Sequence, residues 1–269
     1  MVGTVAVIGA GVIGGAIVRR LQESEEVGKV IATRRSLDAL KELKDLGAQV
    51  TTDNRLAAGK AEVVFLCIKP GDTEAVLKEI ADKVNGKLVI STVAIIPLAF
   101  YSDTAPGARY VRSMPNIAAL AGESFTAYTC DQSVTLEDRG TVKTLLGTMG
   151  QVREVEEKYM DAITGLMGSG PAFVSIVIDA LMFAGLKVGL PRDLSLYGAA
   201  QSVLGTARLI LDGTMKPTEI AEMVTTPGGT TIDGIYEIED GKLRTALMNA
   251  VEAATRKSAD MRFRWEKSN

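Results

Sequence analysis

The chain has 269 residues, of which 46% are hydrophobic and 23% charged, enough for one large core or two ordinary domains. Its formal net charge of −3 gives no electrostatic reason to expect nucleic acid or an anionic membrane as a partner. The sequence has no histidine and only two cysteines, which excludes histidine-based triads, histidine-ligated metals and a disulfide framework, so we expect no metal site. The N-terminus lacks the pattern of a signal peptide, so we expect a cytoplasmic protein.

The first residues predict a dinucleotide-binding turn rather than a plain glycine-rich turn. A continuous apolar run at 4–8, typical of a strand buried on both faces, leads at once into a GxGxxG motif at 9–14 and a helical pattern. The three glycines permit a tight turn, close approach of a pyrophosphate and close packing of the helix on the strand. A second strand is predicted at 29–33. The predicted cofactor contacts are Gly9, Gly11, Val12, Ile13 and Gly14.

The residues that end the second strand favour NADPH. An NAD site usually has an acid there, which binds the ribose hydroxyls and would repel a 2′-phosphate. This chain instead has Thr33, Arg34 and Arg35, followed by a serine. Guanidinium groups and hydroxyls bind a phosphate, so we predict that these three residues bind the cofactor and that NADPH is preferred, with NADH possible. A merely solvated arginine is the alternative.

Strands and helices then alternate, which predicts an α/β domain over residues 1–158 with a Rossmann-like, doubly wound, mostly parallel sheet. Ser36 is predicted to cap a helix that reaches Leu46. Further strands are predicted at 49–52, 62–68, 87–92, 109–114, 125–129 and 151–155, and further helices up to residue 84 and near 135–147.

Ligands of such sheets bind beyond the carboxyl ends of the strands. Residues at that edge are candidate cofactor or substrate contacts, although ordinary loop structure is the alternative. They are Lys69, Pro70, Ala94 and Asn116. Cys67 lies at the same edge with no predicted base beside it, so we interpret it as a small buried residue and not as a nucleophile.

Residues 159–269 are predicted to form an all-α domain. The helical pattern of 159–188 is expected to break or kink at 168–171. Residues 171–186 are apolar on almost all sides, yet too short and too polar for a membrane span, so we expect burial in a core or between subunits. Small residues on the next helix allow close approach and favour an oligomer of interlocking helices over a monomer with a deeper core. Further helices are predicted at 192–212, 217–224, from 233 and at 245–262.

The segment 223–233 is the strongest candidate for a substrate site. A proline stops the preceding helix, and Gly228 and Gly229 are expected to supply backbone angles that side chains forbid. Thr230 is predicted to cap the next helix, with Asp233 completing a capping box. A bare loop that runs into a helix N-terminus suits a carboxylate or phosphate, whereas a tight turn without ligand is the alternative. Hydroxyl groups flank the loop, those of Thr226 and Thr231.

Five short motifs of the C-terminal half, together with the glycine turn, are familiar. They are TGLMGSGPA at 164–172, GLPR at 189–192, AAQ at 199–201, TPGGTT at 226–231 and AVEA at 250–253. With them the chain resembles pyrroline-5-carboxylate reductase over nearly its whole length. The resemblance implies reduction of the cyclic imine 1-pyrroline-5-carboxylate to proline by NAD(P)H, the last step of proline biosynthesis. It also implies a C-terminal helical domain that forms dimers, often assembled into larger rings.

The resemblance also implies roles for individual residues. Lys69 and Pro70 match a loop at the cofactor ribose, and Asn116 matches the asparagine of a Met-x-Asn loop. Thr231 matches the hydroxyl that faces the ring nitrogen and is the catalytic candidate. The residues that match the carboxylate-binding loop are Thr226, Gly229 and Thr230, and Gly228 in the same loop is a further predicted substrate contact. The chain departs from the family at 117–118 and at 93–95, in two loops that lie near the nicotinamide in the family.

Two other functions compete with this interpretation. A 3-hydroxyacid dehydrogenase needs a lysine on the helix at 171–186 to move a hydroxyl proton, and that segment contains none. A non-catalytic NADPH-binding regulator would keep the glycine turn but would have no use for an open carboxylate loop. Imine reduction suits a chain without histidine, because an iminium already carries its proton and a threonine hydroxyl is enough to orient it.

Overall fold

The structure, a computed structural model, describes residues 1–268 of the chain, with side chains as far as residue 265. The chain packs into two compact units. The first contains Met1–Ser169 and the residues from Ala253 onward, and the second contains Gly170–Glu252. The first unit is therefore larger than the predicted domain of residues 1–158, because the turns up to Ser169 and the C-terminal segment pack with the sheet.

A mostly parallel sheet forms the centre of the first unit. Its strands are β1 (Val2–Ile8), β2 (Val27–Thr33), β3 (Gln49–Thr51), β4 (Val63–Leu66), β5 (Leu88–Ser91), β6 (Arg109–Met114), β7 (Ser124–Cys130) and β8 (Gly150–Glu154). Their order is β3-β2-β1-β4-β5-β6-β7-β8. The first six run parallel, β7 is antiparallel to β6, and β8 is parallel to β7. The predicted Rossmann-like sheet is confirmed. At one edge, β7 and β8 run opposite to the other six strands.

The apolar strands are buried on both faces because helices cover both sides. The first unit's helices are α1 (Val12–Glu23), α2 (Lys41–Asp45), α3 (Asn54–Lys60), α4 (Thr73–Val84), α5 (Leu98–Thr104), α6 (Leu136–Gly147) and α7 (Met160–Ile163). In β1, Val5 and Val7 pack with α1, α2 and α6, whereas Ala6 and Ile8 pack with α3, α4 and α5. Each fully buried aliphatic side chain contributes roughly 1.5–3 kcal/mol, so the alternation stabilises both layers.

One local prediction for this unit was wrong, and two short helices were missed. Ser36 does not cap a helix, because the chain first makes a 3-10 turn at Asp38–Leu40 and α2 begins only at Lys41. The short helices α3 and α5 were not predicted, since two turns carry too few apolar positions to show a helical period. For α3 the local signal is its cap, the Asp53 carboxylate, which accepts a hydrogen bond from the Leu56 amide at 2.9 Å.

Where a break or kink was predicted, at 168–171, the helix becomes irregular but does not end. Residues Thr164–Gly168 form a π-helical turn, in which the Ser169 amide donates to the Thr164 carbonyl five residues earlier at 3.0 Å. As a result the helix runs on from Glu157 to Lys187 and is longer than predicted. Among the described residues it is the one helix long and apolar enough to cross a membrane, so the prediction that it is too short was wrong.

The second unit is all helix, as predicted. Its helices are α8 (Gly170–Lys187), α9 (Arg192–Leu211), α10 (Pro217–Val224), α11 (Thr230–Asp240) and the first part of α12 (Leu243–Ser268). Helices α8 and α9 approach closely at Gly185, where an added Cβ would lie 2.5 Å from the Ser195 hydroxyl. Four large apolar side chains of α8 are exposed within the chain, those of Val174, Ile176, Leu181 and Phe183.

The C-terminal part of α12 packs on the first unit. The Ser258 hydroxyl and the Arg262 guanidinium both donate to the Asp161 carboxylate, at 2.8 and 3.0 Å. Near its end, Trp265 makes an edge-to-face contact with Phe100, with ring centroids 4.3 Å apart. The helix thereby joins the layer that covers the α5 side of the sheet.

Candidate functional site

The glycine turn after β1 uses each glycine for a different purpose. Gly9 has φ +88°, and a Cβ there would lie 2.7 Å from the Cys67 carbonyl oxygen. A Cβ on Gly14 would lie 2.5 Å from the Gly9 carbonyl oxygen, so α1 packs against the turn itself. Gly11 faces open space, with no atom within 4 Å of an added Cβ. The turn therefore leaves room for a ligand at Gly11 and no room for side chains at the other two positions.

The N-terminus of α1 is open toward the same space. Gly11 is the cap residue and no side chain caps the helix, so the first-turn amides at Val12 and Ile13 face outward with the positive end of the helix dipole. A cleft of about 850 Å³ adjoins this turn. The predicted cofactor residues that line it are Gly9, Gly11, Val12, Ile13, Thr33, Arg34, Arg35 and Lys69. An anion such as a pyrophosphate would meet backbone donors here.

The far end of the cleft carries a positive rim. Arg34 and Arg35 are exposed and line the cleft, and neither forms an ion pair with another described residue. Thr33 is buried and donates its hydroxyl to Asn54 at 2.7 Å, and the Asn54 amide donates in turn to Glu79 at 3.1 Å. The two guanidinium groups can therefore bind a phosphate, whereas the hydrogen of the Thr33 hydroxyl is already donated to Asn54.

The other predicted edge residues do not all face the cleft. Lys69 lines it, whereas Pro70, Ala94, Asn116 and Gly14 are not among its lining residues. The Asn116 side chain accepts from the Ala118 amide at 3.0 Å and donates to the Met167 carbonyl at 2.9 Å. In this structure Asn116 therefore holds the end of β6 against the π-helical turn.

Cys67 borders the cleft, but its thiol is not activated as a nucleophile. Burial raises the pKa of its thiol to about 12, against a smaller opposing effect of a hydrogen bond with Thr92. Because the thiolate is the nucleophilic form, the thiol is unreactive near neutral pH. The geometry agrees with the interpretation of Cys67 as a packing residue.

The candidate substrate loop joins α10 to α11. Gly228 has φ +70°, as predicted, but Gly229 has φ −80°, so its predicted special backbone angle was wrong. Gly229 is instead needed for space, since a Cβ would meet the Thr226 hydroxyl and its carbonyl oxygen. The Gly229 amide closes the turn by donating to the Thr226 carbonyl at 3.0 Å.

The predicted capping box at α11 was also wrong. The cap residue is Gly229, no side chain caps the helix, and Thr230 is already its first helical residue. This difference leaves the first-turn amides of α11 without a side-chain acceptor, next to the exposed Thr226 and Thr230 and the half-buried Thr231. A helix N-terminus with free amides and neighbouring hydroxyls can bind a carboxylate.

Several cleft residues were missed from the sequence. They are Ala39, Thr52, Asn54, Asp72, Ala75, Val76, Glu79 and Thr92. Asn54 could have been found, because it follows β3 at the ligand-binding edge of the sheet. Glu79 lies inside α4, where a charged residue is typical of a solvent-exposed helix face, so the sequence gives no sign that it lines the cleft.

Known protein families match both the N-terminal and the C-terminal part of the chain. A family model described as pyrroline-5-carboxylate reductase dimerisation matches residues 157–261, and one described as NADP oxidoreductase, coenzyme F420-dependent, matches residues 4–95. The pyrroline-5-carboxylate reductase of Methanosarcina acetivorans is 38% identical over 264 residues, covering 94% of this chain and 96% of its own. That of Synechocystis is 38% identical over 262 residues, covering 95% and 97%. The crystal structure of Plasmodium falciparum pyrroline carboxylate reductase with NADP bound matches with a TM-score of 0.88 at 27% identity, covering 96% of this chain and 97% of that one.

Proposed function

The chain belongs to the pyrroline-5-carboxylate reductase family, and we propose that it reduces the cyclic imine of 1-pyrroline-5-carboxylate to L-proline with a hydride from NADPH, the last step of proline biosynthesis. The observation that carries the proposal is the match to reductases of this one activity over more than nine tenths of the chain. The open glycine turn and the uncapped N-terminus of α11 supply the two anion-binding elements that this reaction needs.

We assign NADPH to the cleft of the first unit. The backbone amides of Val12 and Ile13 bind the pyrophosphate beside the open position at Gly11, and Arg34 and Arg35 bind the 2′-phosphate. This assignment is supported by the NADP bound to the Plasmodium falciparum relative. NADH fits the same turn but leaves the two arginines without a phosphate partner, so NADPH is the preferred donor.

We assign the substrate to the loop before α11. The carboxylate is bound by the amides and hydroxyls at the predicted carboxylate residues, Thr226, Gly228, Gly229 and Thr230. The Thr231 hydroxyl orients the protonated ring nitrogen, and the hydride adds to the adjacent carbon. Because the iminium already carries its proton, positioning and exclusion of water supply most of the rate enhancement.

The assay follows the absorbance of NADPH with pyrroline-5-carboxylate and identifies L-proline by chiral chromatography. The same protein is tested with NADP⁺ and a 3-hydroxyacid, which would be oxidised by a 3-hydroxyacid dehydrogenase. Consumption of NADPH with formation of L-proline supports the proposal. Activity on the hydroxyacid alone, or NADPH binding without turnover of either substrate, contradicts it.

Thr231→Ala tests the catalytic assignment. We expect kcat to fall by about 10²-fold or less, because the hydroxyl orients the nitrogen and does not transfer its proton. NADPH affinity should not change, and Thr231→Ser should restore most of the rate. An unchanged kcat in Thr231→Ala would remove Thr231 from the mechanism while leaving the overall reaction intact.

Homo-oligomerisation is supported by the dimerisation model that matches residues 157–261. We propose that the exposed apolar side chains of α8 are covered by a second copy of the chain and not by lipid. We also propose a cytoplasmic location, which the unpaired Cys67 and Cys130 support. Sedimentation of Ile176→Glu, which places a charge on α8 at a 67% exposed position, should show monomers. Leu136→Glu, at an 87% exposed position on α6, is the matched control and should remain an oligomer.

A further inference from the structure

A second cleft, of about 300 Å³, lies in the first unit and shares no residue with the cofactor cleft. It is formed where β6, the start of the helix at Glu157 and the C-terminal part of α12 come together. Its lining residues are Pro97, Arg112, Glu157, Lys158, Asp161 and Arg262. Three cationic and two anionic side chains give it an excess of one positive charge.

The cleft contains a buried guanidinium whose hydrogen-bonding capacity is only partly used. Arg112 is 2% exposed, and its Nη1 donates to the Glu157 carboxylate at 3.1 Å. Its Nε and Nη2 are buried and have no hydrogen-bond partner among the described residues. Burial of unpaired donors on a charged group is costly, so an acceptor at this position would be strongly favoured.

The carboxylates of the cleft are already occupied by donors. Glu157 also accepts from the Leu98 amide at 2.8 Å. Asp161 accepts from Ser258 and Arg262, at 2.8 and 3.0 Å. At the rim, the Lys158 ammonium contacts Glu156 at 2.7 Å and lies 4.9 Å from the centre of the Tyr159 ring. An ammonium has three donor hydrogens, so Lys158 can still donate to a further acceptor. Among the described residues, the buried side-chain atoms of this cleft without a partner are the donors Arg112 Nε and Nη2, which calls for an occupant that accepts hydrogen bonds.

We propose that this cleft binds a small oxyanion through Arg112, with Lys158 at its rim. A carboxylate or phosphate group presents two oxygens with the spacing of a guanidinium edge. Bound there, the anion would link β6 to the helix that starts at Glu157, beside the point where α12 returns to the first unit. The occupant would thus stabilise the first unit without contact with the cofactor cleft.

The test titrates inorganic phosphate and, separately, acetate into the full chain saturated with NADP⁺ and L-proline at constant ionic strength, with calorimetry and thermal unfolding as readouts. NADP⁺ occupies the phosphate-binding residues of the first cleft and L-proline occupies the carboxylate loop before α11, so that neither site contributes to the signal. Binding of phosphate alone identifies an inorganic oxyanion as the source, whereas binding of acetate identifies a carboxylate. Both outcomes support the site, and the absence of any binding overturns it.

Matched lysine variants show whether the anion binds at this cleft. Lys158→Ala should weaken binding by about two- to fivefold, the range expected for a partly exposed charge. Lys78→Ala is the control, because Lys78 is 64% exposed and ion-paired with Glu74, much as Lys158 is 60% exposed and paired with Glu156. Equal binding by the two variants would place the anion elsewhere and refute the proposal.

Two further measurements address Arg112 itself. Arg112→Lys keeps the charge but loses the guanidinium edge, and should weaken binding by about tenfold or more. Because this substitution is buried and affects folding, a wild-type crystal soaked with selenate provides an independent observation. Anomalous density beside Arg112 Nε and Nη2 is the expected result. Water alone at this position in a selenate-soaked crystal would overturn the proposal.

Discussion

Gly14→Ala is the sharpest test of the glycine turn. The new methyl group would lie 2.5 Å from the Gly9 carbonyl oxygen and 3.0 Å from Cys67 Cβ. Both neighbours are held in place, because the Gly9 amide donates to the Thr33 carbonyl at 3.2 Å and Cys67 follows a central strand. The methyl group therefore cannot be accommodated by rotation of a side chain, and α1 must move away from β1.

The expected cost follows from two opposing effects. Overpacking of this kind destabilises by roughly 1–3 kcal/mol, and alanine gains back about 0.5–1 kcal/mol over glycine inside a helix. With the middle of each range, about 2 and about 0.75 kcal/mol, the net loss is about 1 kcal/mol, which corresponds to a fall in Tm of roughly 2–4 °C for a domain of this size. NADPH affinity should fall as well, because the shift of α1 displaces the amides of Val12 and Ile13.

Two neighbouring glycines provide controls for this variant. An added Cβ on Gly15 meets no atom within 4 Å, so Gly15→Ala should keep or slightly raise Tm and leave NADPH affinity unchanged. Gly11→Ala also meets no protein atom, so Tm should be preserved, but the methyl group points into the space assigned to the pyrophosphate and should weaken NADPH binding about tenfold or more. Thermal unfolding and NADPH fluorescence titration measure both quantities. A Gly14→Ala protein with unchanged Tm would refute the close-packing argument.

Three further predictions concern charges and protonation. Arg35→Ala should lower NADPH affinity about tenfold and leave NADH affinity unchanged in fluorescence titrations, whereas an equal loss for both would argue against a 2′-phosphate contact. Burial alone would raise the pKa of Asp138, but hydrogen bonds from Arg109 and Thr135 hold that pKa below its usual value. The ionised Asp138 carboxylate therefore stabilises the fold above about pH 4, and this stabilisation is lost as the pH falls through the folded-state pKa. In chemical denaturation, the free energy of unfolding of Asp138→Asn should be about 1–3 kcal/mol lower than that of the wild type at neutral pH. This difference between the two proteins should shrink as the pH is lowered. Cys67→Ser should keep kcat, and native Cys67 should resist iodoacetamide at neutral pH, because burial keeps the thiol protonated.

The sheet could be predicted from the sequence because its signal is local and redundant. Runs such as 5–8 and 63–68 are apolar at every position, which only burial on both faces explains. The short helices α3 and α5 and the delayed start of α2 were missed because their positions depend on packing against the sheet and not on a periodic pattern. The π-helical turn was predicted only as a break or kink, for a similar reason. The glycines and Pro171 weaken the local preference for a regular helix. Whether the chain then breaks or makes a π-helical turn depends on contacts with other elements, such as the hydrogen bond from Asn116 to the Met167 carbonyl.

The candidate site could be predicted where backbone geometry alone creates it. The glycine turn and the strand-edge rule located Gly11 and Lys69 in the cleft, since both follow from the direction of the chain. Side-chain networks such as Thr33–Asn54–Glu79 could not be predicted, because they join residues from three separate elements. At α11 the sequence indicated a capping box, whereas the chain starts the helix one residue earlier and leaves its amides open for a ligand.

The second unit gains little stability from its own packing, and we expect the candidate substrate loop to depend on oligomerisation for this reason. Within α8 Met182 is the one buried residue, and within α9 only Ser195 and Ala199 are buried. Helices that expose this much apolar surface need a partner to bury it, at roughly 25 cal/mol per Å². Because the loop at 226–231 belongs to this unit, its order depends on the same burial. Dilution below the dissociation constant of the oligomer should therefore abolish turnover while NADPH binding in the first unit persists, and equal loss of both on dilution would contradict this coupling.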